Sequence, residues 1–212
     1  MSTIRTSFTY LATRVTFTAS VGNMTLLQEH SDDSQAEQEV VVLCNPDGAP
    51  RGTALKAEVH TTQTPLHRAF SCYIFDEDAH LLLTRRAVGK KTWPGVWTNS
   101  VCGHPSPGES DEEAIYRRLA EELGASANAH PHPVLPFFSY EAVDASGIME
   151  REFCPVYRLD IQRQQLGLDP NPDEVAQILW VPFDKVVRTA TFIPELLSPW
   201  MVEQLSQWPD TV

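Results

Sequence analysis

Residues 103–125 read GHPSPGESDEEAIYRRLAEELGA, and this stretch predicts one helix with a clear beginning and a clear end. Ser110 is a favourable N-cap, and Glu113 stands three residues later, as in a capping box. Gly124 provides the usual C-terminal stop. The apolar positions recur every four residues, at Ile115, Leu119 and Leu123. We therefore predict a helix over 110–123 that turns one apolar face to a core.

The same helix has acidic residues at both of its ends. Glu109 precedes the helix, and Glu121 and Glu122 lie in its last turn, so this segment carries a group of carboxylates. Clustered carboxylates suit a hard divalent cation, which in turn can carry a diphosphate. The alternative is an exposed acidic helix whose charges are merely solvated. The length of the pattern favours the metal site over this alternative.

The rest of the chain predicts short strands around this helix, with further helices at the end. The predicted strands are 40–45, 69–75, 81–85, 98–102, 137–142, 152–161 and 178–181, and the predicted helices are 183–189 and 199–207. This order indicates the α+β class. The 212 residues are enough for one domain with a sizeable core, which we place at residues 39–212.

Residues 1–38 are predicted to form a disordered N-terminal extension. Residues 1–23 contain Arg5 and Arg14, many Ser and Thr, and no acid, which loosely resembles an organelle transit peptide. The alternative is that translation starts at Met24, where an acidic and polar stretch begins. The sequence leaves both interpretations open.

Charge and cysteine content narrow the classes of partner. The formal net charge of −12 argues against nucleic acid or an anionic membrane, because both require a basic face. No apolar run approaches the length of about 20 residues that crosses a bilayer. The four cysteines form no CxxC pair, which indicates free thiols in a reducing cytosol. We expect a cytoplasmic monomer that holds an anionic small molecule with local cations and metal ions.

The acidic helix and the loop before it resemble the Nudix box, Gly-x5-Glu-x7-Arg-Glu-U-x-Glu-Glu-x-Gly-U, in which U is a bulky aliphatic residue. The matching positions are Gly103, Glu109, Arg117, Glu121, Glu122 and Gly124. Arg118 stands where the box has Glu. The resemblance implies a Nudix-type α/β/α sandwich with a mixed β-sheet and a central metal-binding helix. Since Arg118 replaces a metal ligand with a cation, such a site should hold a diphosphate rather than cleave it.

Residues 84–105, TRRAVGKKTWPGVWTNSVCGHP, are similar to the signature of the type I isopentenyl diphosphate isomerases within that superfamily. Residues 146–156, SGIMEREFCPV, and residues 198–201, SPWM, match as well, and the resemblance covers residues 40–205. It implies an isomerase that interconverts isopentenyl and dimethylallyl diphosphate through a tertiary carbocation. It also implies divalent metals and no organic cofactor.

In that family three histidines and two glutamates bind one divalent metal. The matching positions are His60, His67, His104, Glu150 and Glu152. Mixed imidazole and carboxylate ligands suit Mn²⁺, Zn²⁺ or Mg²⁺. Glu122 is expected to bind a Mg²⁺ ion that also touches the diphosphate. Taken singly, each histidine is better explained as an ordinary surface or core residue, so the argument depends on their joint occurrence.

The resemblance also assigns roles in the reaction and in substrate binding. Cys102 and Glu152 match the two proton-transfer groups, and Tyr140 matches a tyrosine that helps to deliver the proton. Trp200 matches a tryptophan whose ring face lies over the developing cation. An inert buried thiol is the alternative for Cys102. The expected diphosphate ligands are Lys56, Arg86, Lys90 and Arg118.

Side chains alternate along a strand, so only one of Arg85 and Arg86 should face the site.

Two other functions remain as alternatives to the isomerase. Glu109, Glu121 and Glu122 support a Nudix hydrolase of a nucleoside diphosphate derivative, whereas the residue at position 118 opposes it. A non-catalytic diphosphate-binding protein would lack the proton-transfer pair, and this chain has both members.

Overall fold

A computed structural model describes residues 39–209 of the protein. The predicted disordered extension, the transit peptide and the alternative start at Met24 lie outside the described residues. The strands, numbered along the chain, are β1 Val40–Cys44, β2 Pro50–Leu55, β3 His67–Arg68, β4 Phe70–Phe75, β5 His80–Arg86, β6 Trp97–Thr98, β7 Val101–Gly103, β8 His132–Leu135, β9 Ser139–Val143, β10 Met149–Phe153, β11 Val156–Asp160 and β12 Val175–Pro182. The α-helices are α1 Lys56–Val59, α2 Asp111–Leu123, α3 Phe183–Phe192 and α4 Pro199–Ser206.

The strands form two mixed sheets. The first has the order β2–β1–β3–β10–β9, and the second has the order β12–β5–β4–β11–β8, with β6 paired to β5 and β7 to β4. The parallel pairs are β10 with β3 and β11 with β4. These mixed sheets with a few helices confirm the α+β class. Between residues 39 and 209, none of the helices combines the length and the apolar character that a bilayer crossing requires.

Helix α2 begins and ends where its sequence predicts. Ser110 Oγ accepts a hydrogen bond from Glu113 N at 3.2 Å, and Glu113 Oε2 accepts one from Ser110 N at 2.9 Å. Gly124 ends the helix with a φ of +59°, a left-handed conformation that favours glycine. Its N–H donates to Ala120 O at 3.0 Å, as expected of a C-terminal cap.

Strand β4 shows how helices cover both faces of the second sheet. Phe70 and Ile74 lie in one core cluster with Leu119 of α2. Tyr73, which points the other way, lies in a second cluster with Met201 of α4. Because neighbouring side chains of a strand point to opposite faces, the sheet separates α2 from α4 and the fold has α/β/α layers.

The prediction of one strand over 152–161 is wrong. Strand β10 ends at Phe153 and pairs with β3 in the first sheet, whereas β11 begins at Val156 and pairs with β4 in the second. Pro155 lies between them and has no N–H with which to continue a ladder. The chain therefore changes sheets at this proline.

The strand predicted over 98–102 is also two short strands, β6 and β7, which pair with different partners. Strands β2, β3 and β8 were not predicted. Strand β2 is largely exposed and β8 is half-exposed, so neither shows the apolar alternation by which a strand is recognised. Strand β3 has only two residues, too few for any periodicity.

Candidate active site

A cavity of about 170 Å³, called the central cavity below, brings most of the predicted site residues together. The predicted residues that line it are Lys56, His60, Arg86, Lys90, Cys102, His104, Arg118, Glu122, Tyr140, Glu150, Glu152 and Trp200. His67 is fully buried behind this wall. Strands of both sheets, the helices α1, α2 and α4, and the loops between these elements supply the side chains.

Four groups that can ligate a metal converge where β3 meets β10. The parallel register of these strands places Glu152 beside His67. His67 Nε2 lies 3.2 Å from His104 Nε2, and Glu152 Oε1 lies 3.1 Å from that same His104 atom. His67 Nδ1 lies 2.9 Å from Pro65 O, an acceptor for a ring N–H, so Nε2 is the ring nitrogen that faces the other three groups. With His60 included, one ligand atom from each residue lies within 4.8 Å of the others.

This donor set fits a divalent cation. His60 Nε2 is buried and has no hydrogen-bond partner, and burial, followed by the charges of His104 and His67, lowers the pKa of His60 to about 4. The His60 ring is therefore a neutral lone-pair donor at neutral pH. Burial opposes ionisation of Glu152, but hydrogen bonds from His104 and His67 hold its pKa well below its usual range. Burial opposes protonation of His67, but its hydrogen bond with Glu152 raises its pKa, so a divalent cation at this cluster would displace a proton from that ring.

Glu150 lies next to this group and has other partners. Thr92 Oγ1 donates to Glu150 Oε1 at 2.5 Å, and the Tyr140 hydroxyl donates to Oε2 at 2.9 Å. Burial, and then the neighbouring charge of Glu152, raises the pKa of Glu150. The structure thus places Glu150 beside the four converging ligands rather than among them. Its contact with Tyr140 joins two residues that the sequence had assigned to different roles.

Cys102 lies in β7 with its side chain in the wall of the central cavity. Its thiol donates to Asn99 Oδ1 at 3.1 Å and lies 3.6 Å from Ser71 Oγ. Burial raises the pKa of the Cys102 thiol to about 12. The group is therefore a protonated thiol at neutral pH, which is the form that can give a proton away.

Aromatic rings form the apolar wall of the cavity. Trp200 is 3% exposed, and its ring centroid lies 5.8 Å from that of Tyr140 and 5.4 Å from that of Trp93. Trp93 meets it edge-on. The guanidinium carbon of Arg86 lies 5.5 Å from the centre of the Trp200 ring, which is a cation–π contact. The ring face of Trp200 is thus already placed beside one positive charge.

The predicted diphosphate ligands are paired with acceptors of the protein. Lys56 Nζ donates to Glu39 Oε1 at 2.6 Å, and Lys90 forms an ion pair with Glu174. Arg86 donates to the carbonyl oxygens of Thr92 and Trp93 at 2.9–3.2 Å. Arg85 lies outside the central cavity and binds Gly95 O and Gln177, so one arginine of the pair faces the site.

Arg118 of α2 lies among three acidic residues, two from the same helix and one that directly precedes β12. It pairs with Glu122, with Glu121 Oε2 at 2.8 Å and with Glu174 Oε2 at 3.3 Å. Although burial opposes its charge, these carboxylates raise the pKa of Arg118 further above its usual range. Burial, only partly offset by Arg118, raises the pKa of Glu122. The position that departs from the Nudix box thus neutralises the acids around it.

Arg117 pairs with Glu109, which precedes the helix, and with Glu121. Arg117 Nε donates to Glu109 Oε1 at 2.8 Å, and Arg117 Nη1 lies 3.3 Å from Glu121 Oε2. Arg117 Nη2 also donates to His104 O at 3.1 Å, which ties the helix to the histidine cluster. The helix therefore presents a network of ion pairs to the cavity rather than free carboxylates.

Several residues of the site were not predicted. Asn99, Ser71, Thr92 and Glu174 contact predicted site residues through their side chains. Asn99 and Ser100 stand within a predicted strand, and polar residues at buried strand positions were the available signal for them. Glu174 gave no such signal, because its link to α2 exists only after the chain has folded.

Comparison with known proteins adds two kinds of relative. Residues 65–201 match the family model described as the NUDIX domain. An isopentenyl-diphosphate Delta-isomerase of Corynebacterium diphtheriae is 51% identical over 169 residues, which cover 79% of this chain and 91% of that protein. One from Leifsonia xyli subsp. xyli is 53% identical over 169 residues, with coverage of 79% and 90%.

Solved structures are similar to this chain in fold at low sequence identity. A crystal structure from Deinococcus radiodurans has a TM-score of 0.61 and 21% identity, and covers 80% of this chain and 99% of that chain. The MutT protein from Methanosarcina mazei has a TM-score of 0.54 and 19% identity, and covers 68% and 92%. At these identities the likeness concerns the fold alone.

Proposed function

This chain belongs to the Nudix family and, within it, to the isopentenyl-diphosphate Delta-isomerases, and from that premise we propose that it interconverts isopentenyl and dimethylallyl diphosphate. The enzyme moves a double bond between C3–C4 and C2–C3 of a five-carbon diphosphate in isoprenoid synthesis. One observation carries the proposal: Cys102 and Glu152 line a single small cavity together with Trp200 and five lysine or arginine side chains. A thiol, a carboxylate and a π face around one cavity suit proton transfer on a hydrocarbon.

Helix α2 gives less support to the alternative, hydrolysis of a nucleoside diphosphate derivative. Hydrolysis of this type needs carboxylates that are free to hold metal ions beside the scissile bond. Arg118 replaces one such carboxylate and pairs with Glu121 and Glu122, while Arg117 pairs with Glu109. This arrangement favours holding a diphosphate over cutting it.

The isomerisation needs one proton added at C4 and one removed from C2. We assign these transfers to Cys102 and Glu152, with Tyr140 helping to deliver the proton. Protonation at C4 uses the electrons of the C3–C4 double bond and leaves a positive charge at the tertiary carbon C3. Removal of a proton from C2 returns those electrons as the C2–C3 double bond. Because the reaction is reversible, each group is the acid in one direction and the base in the other.

The aromatic wall protects the carbocation. A π face beside a desolvated cation is stabilising by about 2 kcal/mol, and Trp200 is placed to provide one. Its ring is 3% exposed and packs against Tyr140 and Trp93, which keeps water away from that part of the cavity. Exclusion of water prevents capture of the cation as an alcohol.

The charged head of the substrate is assigned to the cationic side of the cavity. We propose that Lys56, Arg86, Lys90 and Arg118 bind the diphosphate, exchanging their present protein acceptors for phosphate oxygens. When bound, divalent cations at the histidine cluster and at Glu122 would neutralise the carboxylates and the diphosphate. The cluster would use His60, His67, His104 and Glu152, and Glu150 would join them by giving up its hydrogen bonds with Thr92 and Tyr140.

The metals proposed are Mg²⁺ with the diphosphate and Mn²⁺ at the cluster, with Zn²⁺ or Mg²⁺ as the alternatives there. Elemental analysis of the purified protein, before and after chelation, measures which metal remains. A His60→Ala variant should retain less of the cluster metal, because it removes one of four converging ligands. Full retention by this variant would contradict the assignment of His60.

We further propose a cytoplasmic monomer. All four cysteines are free thiols in the structure, which supports a reducing compartment. Light scattering of the purified protein should give a mass near 23.7 kDa. Twice that mass in dilute solution would contradict the monomer.

Two substitutions test the proposed reaction. Cys102→Ala and Glu152→Gln should each lower kcat by about 10²–10⁴-fold, because each removes a proton-transfer group. Cys44→Ala is the matched control, since Cys44 is a buried cysteine of β1 that does not line the central cavity. The assay follows isopentenyl diphosphate to dimethylallyl diphosphate in D₂O and measures deuterium at C4.

Wild-type turnover in both variants would contradict the mechanism. Release of phosphate from a nucleoside diphosphate derivative, without conversion of isopentenyl diphosphate by the wild-type protein, would favour the hydrolase instead.

A further inference from the structure

Asn99 is fully buried and has no part in the reaction as described, yet its side chain contacts two of the residues assigned to it. We propose that Asn99 is a positioning residue, which fixes the Cys102 thiol and the Trp200 ring relative to each other for the isomerisation. This inference rests on the proposed function, since it assigns a role within that reaction.

Asn99 lies in the two-residue segment between β6 and β7. In this segment the chain stops pairing with β5 and begins to pair with β4. Both sides of the segment are anchored by hydrogen bonds. Thr84 Oγ1 of β5 donates to Asn99 O at 2.8 Å. Ser100 Oγ donates to Leu82 O at 2.6 Å and accepts from Ile74 N at 2.8 Å. The backbone of Asn99 is therefore fixed to two central strands of the sheet.

The orientation of the Asn99 amide follows from its partners. Asn99 Nδ2 donates to Cys72 O and to Val101 O, both at 3.1 Å. The reversed amide would place an oxygen against these two carbonyl oxygens and would turn an NH₂ group toward the indole N–H of Trp200. The hydrogen-bond network therefore selects the orientation in which Oδ1 faces the site.

Asn99 Oδ1 collects donors from three side chains. Trp200 Nε1 donates to it at 3.2 Å, the Cys102 thiol at 3.1 Å and Thr98 Oγ1 at 3.0 Å. Trp200 lies in α4 and Cys102 in β7, about 100 residues earlier in the chain. One oxygen atom thus holds the proton-transfer thiol and the cation-stabilising ring in a common geometry. A displacement of about 1 Å at such a site can cost about 10²-fold in rate.

The test compares Asn99→Leu with Ser100→Ala. Leucine has nearly the volume of asparagine and none of its hydrogen bonds. The Asn99→Leu variant should lower kcat by about 10²-fold. Its KM should stay close to the wild-type value, because the side chain of Asn99 forms no hydrogen bond with the residues assigned to the diphosphate. Ser100→Ala is the matched control: it removes two buried hydrogen bonds from the same segment without touching Cys102 or Trp200, and should keep wild-type kcat.

A spectroscopic measurement tests the geometry without reference to activity. The indole ¹⁵N–¹H signal of Trp200, assigned by its disappearance in Trp200→Phe, should shift in Asn99→Leu and stay in place in Ser100→Ala. Combination with Trp200→Phe gives a double-mutant cycle, in which the fold-loss of kcat in the double variant should be smaller than the product of the two single losses.

Wild-type kcat or an unshifted indole signal in folded Asn99→Leu would overturn the inference. If that variant does not fold, Asn99→Asp, which keeps the size and one acceptor oxygen, should give a kcat between those of wild type and Cys102→Ala. If neither variant folds, the role of Asn99 is structural and the inference fails. Failure of the proposed function is a separate outcome, because the wild-type protein itself would then leave isopentenyl diphosphate unconverted.

Discussion

The close approach of Gly103 to Arg118 makes one prediction that joins stability to substrate binding. A Cβ added at Gly103 would lie 2.8 Å from Cγ, 3.2 Å from Cδ and 3.3 Å from Nε of Arg118. Ordinary contacts between carbon atoms are about 3.5–4.0 Å, so a Gly103→Ala substitution must displace the stem of Arg118 by about 1 Å. The backbone of Gly103 is not in the left-handed region, so the effect is steric alone.

The expected loss of stability follows from the packing and the ion pairs of Arg118 that this displacement disturbs. Overpacking of a close-packed site costs about 1–3 kcal/mol. Arg118 is 9% exposed, and moving it loosens its pairs with Glu122 and Glu174. We expect the free energy of unfolding to fall by about 2 kcal/mol. The KM for isopentenyl diphosphate should rise about tenfold, which corresponds to about 1.4 kcal/mol of lost binding.

Urea unfolding and steady-state kinetics measure the two effects. With a slope of about 2 kcal/mol per M, the loss in stability moves the unfolding midpoint by about 1 M. Gly89→Ala is the matched control, because a Cβ at Gly89 meets nothing within 4 Å and its backbone is not in the left-handed region either. It should leave both the midpoint and KM near wild type. Equal behaviour of the two variants would refute the steric reasoning.

Two further predictions concern stability. A Gly124→Ala substitution would put a side chain at a φ of +59° and place its Cβ 2.5 Å from Asp169 O. The free energy of unfolding should therefore fall by at least about 2 kcal/mol. An unchanged urea midpoint would contradict this prediction. Because burial lowers the pKa of His60 to about 4 from 6.5, the unfolded chain binds more protons than the folded one between those values. The metal-free protein should therefore lose stability as pH falls from 6.5 to 4, and His60→Asn should lose less. Equal pH slopes for the two proteins would oppose this account.

Helix α2 was predictable because the information that defines it is local. Its capping box, its apolar stripe and its terminal glycine all lie within the residues that form it, so hydrogen bonds between near neighbours decide its ends. The fixed spacings of the box and of the isomerase signature are local in the same way. They identified the family and predicted most of the residues that line the central cavity.

Strand boundaries were less predictable, because pairing partners decide them. The periodicity of residues 152–161 is that of a single strand, and only the second sheet on the far side of Pro155 makes it two. The exposed strand β2 is held by its ladder to β1, which no pattern within its own residues reveals.

The sequence by itself determined the family and the acidic helix, and it supplied the thiol, the carboxylates and the imidazoles that we propose as the site of a diphosphate isomerase. Only the tertiary structure decided how those groups are paired. It placed Glu150 against Tyr140, closed Arg118 onto Glu122 and Glu174, and set Asn99 between Cys102 and Trp200. These contacts join residues of different strands and helices, and a hydrogen bond of about 3 Å between them exists only once the sheets and helices have packed.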